Sequence, residues 1–349
     1  MTINYLDSKR ISGTTADRNG IPAVSGGWKE LGRTTLGSAG TTITVSGLAD
    51  KRYYKILTSS KGSGSPDYTA RINSDTGSTY ASRWMDNGSG ENTGVSRTSM
   101  LYDSVGGGFN HKFNIGYITN LASKEKLSIN HSADSDTSAA STAPSRSETV
   151  HKWANTSDAL SAFSLISTVN MDIGSEVVVL GWDDSDTHTT NFWEELASVT
   201  LGSAGSTIDS GTITAKKYLW FQIFNGGLSS SGVTGIRFNS DGSNNYAERR
   251  SGNGGSDVTG TSRPVLNLVH TGTTTPQFSN CFVINNSSNE KLVISHSVSQ
   301  NTAGAGTAPN RSECADKWAN TSSQITSVQA IASTGNFPSG SILKVWGSN

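Results

Sequence analysis

Two histidine–serine pairs come nearest to a catalytic arrangement in this chain. His131 precedes Ser132 and His296 precedes Ser297, each at the end of an apolar segment. A serine nucleophile with a histidine base also needs an acid that orients the imidazole and donors that hold an oxyanion. The sequence shows neither partner, so we expect strand-end histidines that hydrogen-bond a neighbouring loop.

Arginine and glutamate recur two positions apart, as Arg146 with Glu148 and as Arg311 with Glu313. Residues two apart on a β-strand face the same side, so the two side chains can pair with each other or with the preceding loop. A glycosidase would need a second acid within reach of either glutamate. No duplicated Asp or Glu is an obvious candidate, and the pattern therefore predicts structural ion pairs.

Asn and Asp alternate at two positions in a way that resembles the start of a calcium loop. These calcium candidates are Asn73 with Asp75 and Asn239 with Asp241. The bidentate glutamate that completes an EF-hand is missing, and the same residue types also form ordinary tight turns. We expect turns and no cofactor, with calcium as the alternative.

The chain contains one domain twice. Trp28 and Trp193 open two stretches that stay in register over most of their length, with an offset of 193 − 28 = 165 positions. Solenoid repeats are only about 20–50 residues long, so this period indicates a duplicated domain. The predicted division is an arm at 1–26, a first unit at 27–183, a linker at 184–191 and a second unit at 192–349.

The composition favours strands over helices. Gly, Ser, Thr and Asn dominate, charged residues make up only 16% of the chain, and short segments alternate polar with apolar residues. We predict an all-β protein with two tandem β-sandwich domains of jelly-roll type and about eight strands each. The regions 86–108 and 251–275 are predicted to be loops that diverge between the units.

Charge and hydropathy exclude several classes of protein. The net charge of −1 provides no excess of positive charge with which to bind nucleic acid. Neither a secretory signal nor an apolar run of membrane-spanning length is visible, which predicts no membrane insertion. Cys281 and Cys314 both lie in the second unit, opposite Gly116 and Thr149, so no disulfide belongs to the shared fold; one bridge between them stays possible.

Tryptophans are the remaining candidates for ligand binding. Trp84 and Trp220 each occur in one unit only, and a tryptophan beside a Gly/Asn loop can stack on a sugar ring. Partly buried packing in a sandwich is the alternative. Core packing explains the four tryptophans that both units share, which are Trp28, Trp193, Trp153 and Trp318.

Each unit resembles a domain found in structural proteins of bacteriophages and archaeal viruses, especially tail fibres and other virion-surface proteins. The resemblance rests on the opening Trp with Leu-Gly-Ser-Ala-Gly, a Tyr strand, an Arg followed by Asn-x-Asp and Tyr, and a closing Gly-Ser strand. In unit one these elements are Trp28, Leu36 to Gly40, Tyr53, Arg71, Asn73, Asp75, Tyr80 and Gly174-Ser175 to Gly181. The arm has no counterpart in this pattern.

The resemblance implies a non-enzymatic virion protein, made in the host cytoplasm, that assembles as a homo-oligomer with other virion proteins and contacts a host-surface glycan or receptor. Three alternatives stay open. The chain could be a tandem jelly-roll capsid or lattice subunit whose arm clamps a neighbour. It could be a pair of carbohydrate-binding modules of an adhesin, or a hydrolase that depends on a duplicated residue such as His131 or Glu148.

Overall fold

The computed structural model describes residues 27–62, 64, 66–103, 111–183, 186, 191–300 and 304–349. The predicted arm 1–26 and most of the predicted linker 184–191 lie outside these residues. Every regular element among the described residues is a β-strand, which confirms the predicted all-β fold. None of these residues forms a helix long and apolar enough to cross a membrane.

Unit one contains twelve strands among its described residues. They are β1 (Lys29–Thr35), β2 (Gly40–Ser46), β3 (Tyr53–Lys61), β4 (Tyr68–Ile72), β5 (Tyr80–Asp86), β6 (Asn92–Arg97), β7 (Met100–Asp103), β8 (His111–Thr119), β9 (Lys126–Asp134), β10 (Ser145–Trp153), β11 (Ala162–Met171) and β12 (Glu176–Trp182).

Unit two repeats this order over its described residues. Its strands are β13 (Glu194–Thr200), β14 (Thr207–Asp209), β15 (Tyr218–Asn225), β16 (Thr234–Phe238), β17 (Tyr246–Gly252), β18 (Val258–Arg263), β19 (Leu266–Asn267), β20 (Gln277–Ile284), β21 (Lys291–Ser299), β22 (Asn310–Trp318), β23 (Val328–Ala332) and β24 (Ile342–Ser348).

Two antiparallel sheets form each sandwich. In unit one an eight-stranded sheet has the order β1-β12-β3-β8-β9-β10-β5-β6, and a four-stranded sheet has the order β2-β11-β4-β7. Unit two has the same two orders with β13 to β24. Neighbours in a sheet are often far apart in sequence, which is the jelly-roll type of connection that the long loops predict.

The prediction of eight strands per unit, with divergent loops at 86–108 and 251–275, was wrong. Each region contains two strands. The first, β6 (Asn92–Arg97) or β18 (Val258–Arg263), pairs with the strand before it, and the second, β7 or β19, lies at the edge of the four-stranded sheet. The sequences of β6 and β18, NTGVSR and VTGTSR, are also similar. Both β6 and β18 are polar and exposed, so the apolar alternation that marks a half-buried strand is absent.

Alternation along the strands divides each large sheet into an inner and an outer face. On β3, Tyr54 and Ile56 point inward to the core that the two sheets enclose. Their neighbours Tyr53 and Leu57 therefore point to the outer face. Burying one such inner side chain contributes roughly 1.5–3 kcal/mol, so the inner pattern fixes the register of the strand.

Candidate functional site

The two units contact each other through the outer faces of their eight-stranded sheets. The contact is a cluster of apolar side chains, and those from unit one lie on one half of its outer face. Those buried unit-one residues are Leu57, Phe113, Ile115, Ala133, Val178 and Leu180. Unit two contributes Phe192, Tyr218, Phe282, Ile284, Leu292, Ile294 and Ala315.

A buried lysine lies at the centre of this contact. The ammonium of Lys55 lies between 4.5 and 5.8 Å from five ring centres, those of Trp28, Tyr117, Trp193, Trp220 and Phe282. Burial lowers the pKa of Lys55 to about 7. The prediction that Trp28 and Trp193 pack in the sandwich cores was therefore wrong, whereas the other shared pair, Trp153 and Trp318, is buried there.

The other half of the outer face of unit one is open. It forms an apolar groove of about 780 Å³, whose lining includes the partly exposed side chains of Tyr53, Leu127, Ile129 and Val150. Val95, on the edge strand β6, is the most exposed of the large apolar side chains in the lining. We call this surface the open face. An exposed apolar surface of this kind on a folded protein marks an interaction site.

Aromatic rings form one end of the open face. Tyr53 stacks on Trp182 with ring centres 5.2 Å apart, and Trp28 meets Tyr117 edge to face at 6.3 Å. All four side chains line the groove. The Tyr53–Trp182 pair offers flat apolar surface of the kind that packs against another protein or against a sugar ring.

The polar side chains around the open face are already paired. At the rim, the Arg83 guanidinium lies 2.5 Å from Glu91 and the Lys152 ammonium lies 3.2 Å from Glu125. The groove thus combines an apolar floor with a neutralised rim, which suits binding better than catalysis.

The structure separates the two residues of each histidine–serine pair. The prediction of strand-end histidines was wrong, since His131 lies within β9 and His296 within β21. Consecutive residues on a strand face opposite sides, so His131 and His296 lie on the outer faces and their serines lie on the inner faces. The two imidazoles meet each other instead, with ring centres 4.4 Å apart. Burial lowers the pKa of His131 to about 4 and that of His296 to about 3. The Ser297 hydroxyl donates to Ser279 at 2.8 Å.

Arg146 forms the predicted ion pair with Glu148 and extends it across the two units. Its guanidinium also lies 2.8 Å from Asp257 and 3.6 Å from Glu313, both in unit two. Burial raises the pKa of Glu148 to about 7. Two cavities border these groups: one of about 10 Å³ beside Arg146 and Glu148, and one of about 350 Å³ that Glu313 lines together with His131 and His296.

The calcium candidates form turns whose oxygen atoms accept hydrogen bonds. Asp75 accepts from the Trp153 indole and the Thr79 hydroxyl, both at 2.7 Å. Asp241 accepts from the Trp318 indole at 2.8 Å. The amide oxygens of Asn73 and Asn239 accept from backbone N–H groups. Among the described residues no cluster of His, Cys, Asp or Glu is arranged to hold a metal.

Neither tryptophan proposed for ligand binding lines the open face. Trp84 packs under the Arg97 guanidinium, which lies 5.8 Å from its ring centre. Trp220 stacks on Trp346 at 4.3 Å within the contact between the units, and its indole donates to Asn280. Ligand binding by Trp84 or Trp220 stays a prediction.

The two cysteines are free and buried. Cys281 pairs with Ser295 of β21, and Ser295 pairs on its other side with Cys314 of β22. The cysteines are therefore two strands apart, about 9.5 Å between Cα atoms, beyond the reach of a disulfide.

Comparisons with known proteins reveal no relative. No protein-family model matches the sequence, and no curated protein matches it. Among solved structures, domains LG4-5 of the mouse laminin alpha1 chain align at 13% identity and a TM-score of 0.19, covering 93% of this chain and 91% of that one. Neisserial surface protein A aligns at 8% identity and a TM-score of 0.12, covering 81% of this chain and 99% of that one. TM-scores this low carry no conclusion about fold or function.

Proposed function

We propose that this protein is a non-enzymatic structural protein that assembles with further copies of itself through the open face, as a surface or tail-fibre component of a virion. The single observation that carries the proposal is the exposure of Tyr53, Leu127, Ile129 and Val150 in one apolar groove. Water-exposed apolar surface of this extent is costly for a lone chain, and burial against a partner removes that cost.

The polar groups support a structural role. Among the described residues, the groups best suited to acid–base chemistry are His131, His296, Glu148 and Glu313, and their contacts with each other and with Arg146 stabilise the contact between the units. The cavity of about 350 Å³ beside His131, His296 and Glu313 is lined otherwise by Ile115, Tyr117, Ile129, Asn280, Phe282 and Ile294, so the described part of its lining includes no serine, threonine or cysteine that could act as a nucleophile. The virion location rests on the sequence resemblance of each unit to virion-surface domains.

The mass of the purified chain in solution, measured by light scattering, tests the proposal. A closed oligomer is expected, since trimers and other symmetric rings are common among structural proteins. Removal of residues 1–26 is the companion measurement. Large particles that depend on residues 1–26 would point to a capsid or lattice subunit, and a single chain at micromolar concentration would contradict self-assembly.

Carbohydrate binding is the second candidate, because the exposed ring of Tyr53 stacks on the half-buried ring of Trp182 at one end of the groove. A glycan array would detect it, and replacement of Trp182 by alanine should then abolish binding. Trp84→Ala provides the matched control, since that ring lies outside the groove. The scarcity of unpaired polar groups at the groove makes this candidate second, because sugar hydroxyls need hydrogen-bonding partners.

A further inference from the structure

We infer that the partner of the open face is a patch on unit two of a second copy of this chain. We define the patch as the exposed side chains of Phe224, Phe278 and Val298, which lie together on the outer face of unit two. This inference rests on the homo-oligomer proposed above and names the two surfaces that form it.

The duplication shows what covers an open face. Leu127, Ile129 and Val150 correspond by the repeat offset to Leu292, Ile294 and Ala315 of unit two. The unit-one residues are 57%, 53% and 45% exposed, whereas their unit-two equivalents are 0%, 3% and 1% exposed. The same surface of the fold is thus open in one unit and covered in the other, and the cover in unit two is unit one.

The covering residues identify the partner surface. In unit one, Phe113 and Ala133 belong to the half of the outer face that packs on unit two. Their equivalents in unit two are Phe278 and Val298, which are 39% and 41% exposed. The outer face of each unit therefore has two halves. One half, which includes Phe113 in unit one and Phe278 in unit two, can pack on the other half of a neighbouring unit. Within one chain the open face of unit one and the patch of unit two both remain without a cover.

A second copy supplies the missing contact for both surfaces. The open face of one chain then packs on the patch of the next, in the same pairing that already joins the two units of each chain. The two surfaces differ, so the contact is heterologous and generates a closed ring or a filament. Where unit one has Leu57 and Ile115, unit two has Gln222 and Asn280, which makes this contact less apolar than the one within the chain.

Single substitutions on each surface, combined in one mixture, test the pairing. Ile129→Glu places a charge on the open face and Val298→Glu places one on the patch. Both side chains are half-exposed, so the fold should tolerate the change, and thermal unfolding checks this. Each variant alone should have the mass of a single chain. An equimolar mixture should give a complex of two chains, because one intact open face and one intact patch remain.

Ile173→Glu is the matched control, since Ile173 is exposed and lies outside both surfaces; it should keep the wild-type mass. Two results would overturn the pairing. In the first, Val298→Glu still assembles as the wild type does, as expected if two open faces meet each other. In the second, both variants are single chains and their mixture is too. A wild-type chain that is itself monomeric contradicts the proposed homo-oligomer as well as the pairing.

Discussion

Arg146 and Arg311 occupy equivalent positions of the repeat but lie in opposite environments. The Arg146 side chain is buried between the units and contacts Asp257, Glu148 and Glu313. Arg311 is largely exposed, and its guanidinium lies 3.4 Å from Glu313. Both pairs were predictable from residues two apart on a strand. The role of Arg146 between the units was not, because its partner Asp257 is far away in the sequence.

Replacement of Arg146 by alanine should destabilise the protein by roughly 3–5 kcal/mol, because the carboxylates of Asp257 and Glu148 lose the guanidinium nearest to them. Arg311→Ala removes an exposed pair and should change the free energy of unfolding by less than about 1 kcal/mol. Denaturant unfolding of both variants beside the wild type measures the difference. Equal costs for the two variants would contradict the burial of Arg146 between the units.

The two interfacial histidines should make the protein less stable in acid. Burial holds the pKa of His131 at about 4 and that of His296 at about 3, below the ordinary 6.5. The unfolded chain therefore binds protons as the pH falls below 6.5, while the folded chain stays neutral at these sites until about 4. Stability from these groups is complete above pH 6.5 and is lost toward pH 4.

Replacement of both histidines by asparagine should flatten the dependence of the unfolding free energy on pH between about 6.5 and 4. Glu148 opposes this trend, since its pKa is raised to about 7, and it is present in the wild type and in the variant. Unfolding curves at several pH values compare the two proteins. Parallel pH profiles would show that these imidazoles do not titrate as buried groups.

At the scale of elements, the turn between β4 and β5 shows how a metal-like pattern serves the fold. Asp75 accepts hydrogen bonds from the turn backbone at Gly77 and from the buried Trp153, and so ties the turn to β10. Asp241 does the same for Trp318 in unit two. The sequence alone allowed both a turn and a calcium loop. The indole N–H groups that donate to Asp75 and Asp241 come from strands that are distant in sequence, so they could not be predicted.

Asp75→Ala should lower stability by about 1–3 kcal/mol, because the buried indole N–H of Trp153 loses its acceptor. Addition of calcium or of a chelator should leave the melting temperature of the wild type unchanged. Thermal unfolding with calcium and then with chelator checks both expectations. A rise of the melting temperature with calcium that Asp75→Ala abolishes would restore the metal site.

Strand β9 explains why the open face was not predicted. Its apolar residues Leu127 and Ile129 point outward, while the residue after each of them, Ser128 and Asn130, is buried. Period-two alternation identifies such a strand but does not say which of its two faces meets the core. Apolar residues on the outer face were the available signal, and they become visible only when the register of the whole sheet is known.

For the whole molecule, composition and alternation predicted the fold class, and the duplication predicted the two units. The structure was needed to show that equivalent surfaces of the two units lie in different environments. The segment after β9 shows this inequality. Lys317 donates to the carbonyl oxygens of Ser135 and Thr137 at 2.8 and 2.6 Å, and so joins unit two to unit one. Its equivalent, Lys152, is exposed and pairs with Glu125 of its own unit. The same surface of the fold is therefore covered in unit two and open in unit one.

The most direct test of this account is the mass of the wild-type chain, measured by light scattering beside Ile129→Glu at the same micromolar concentration. We predict an oligomer for the wild type and a single chain for the folded variant, because a charge on the open face prevents its burial. A single chain for both proteins, or the same oligomer for both, would contradict the claim that the open face holds the assembly together.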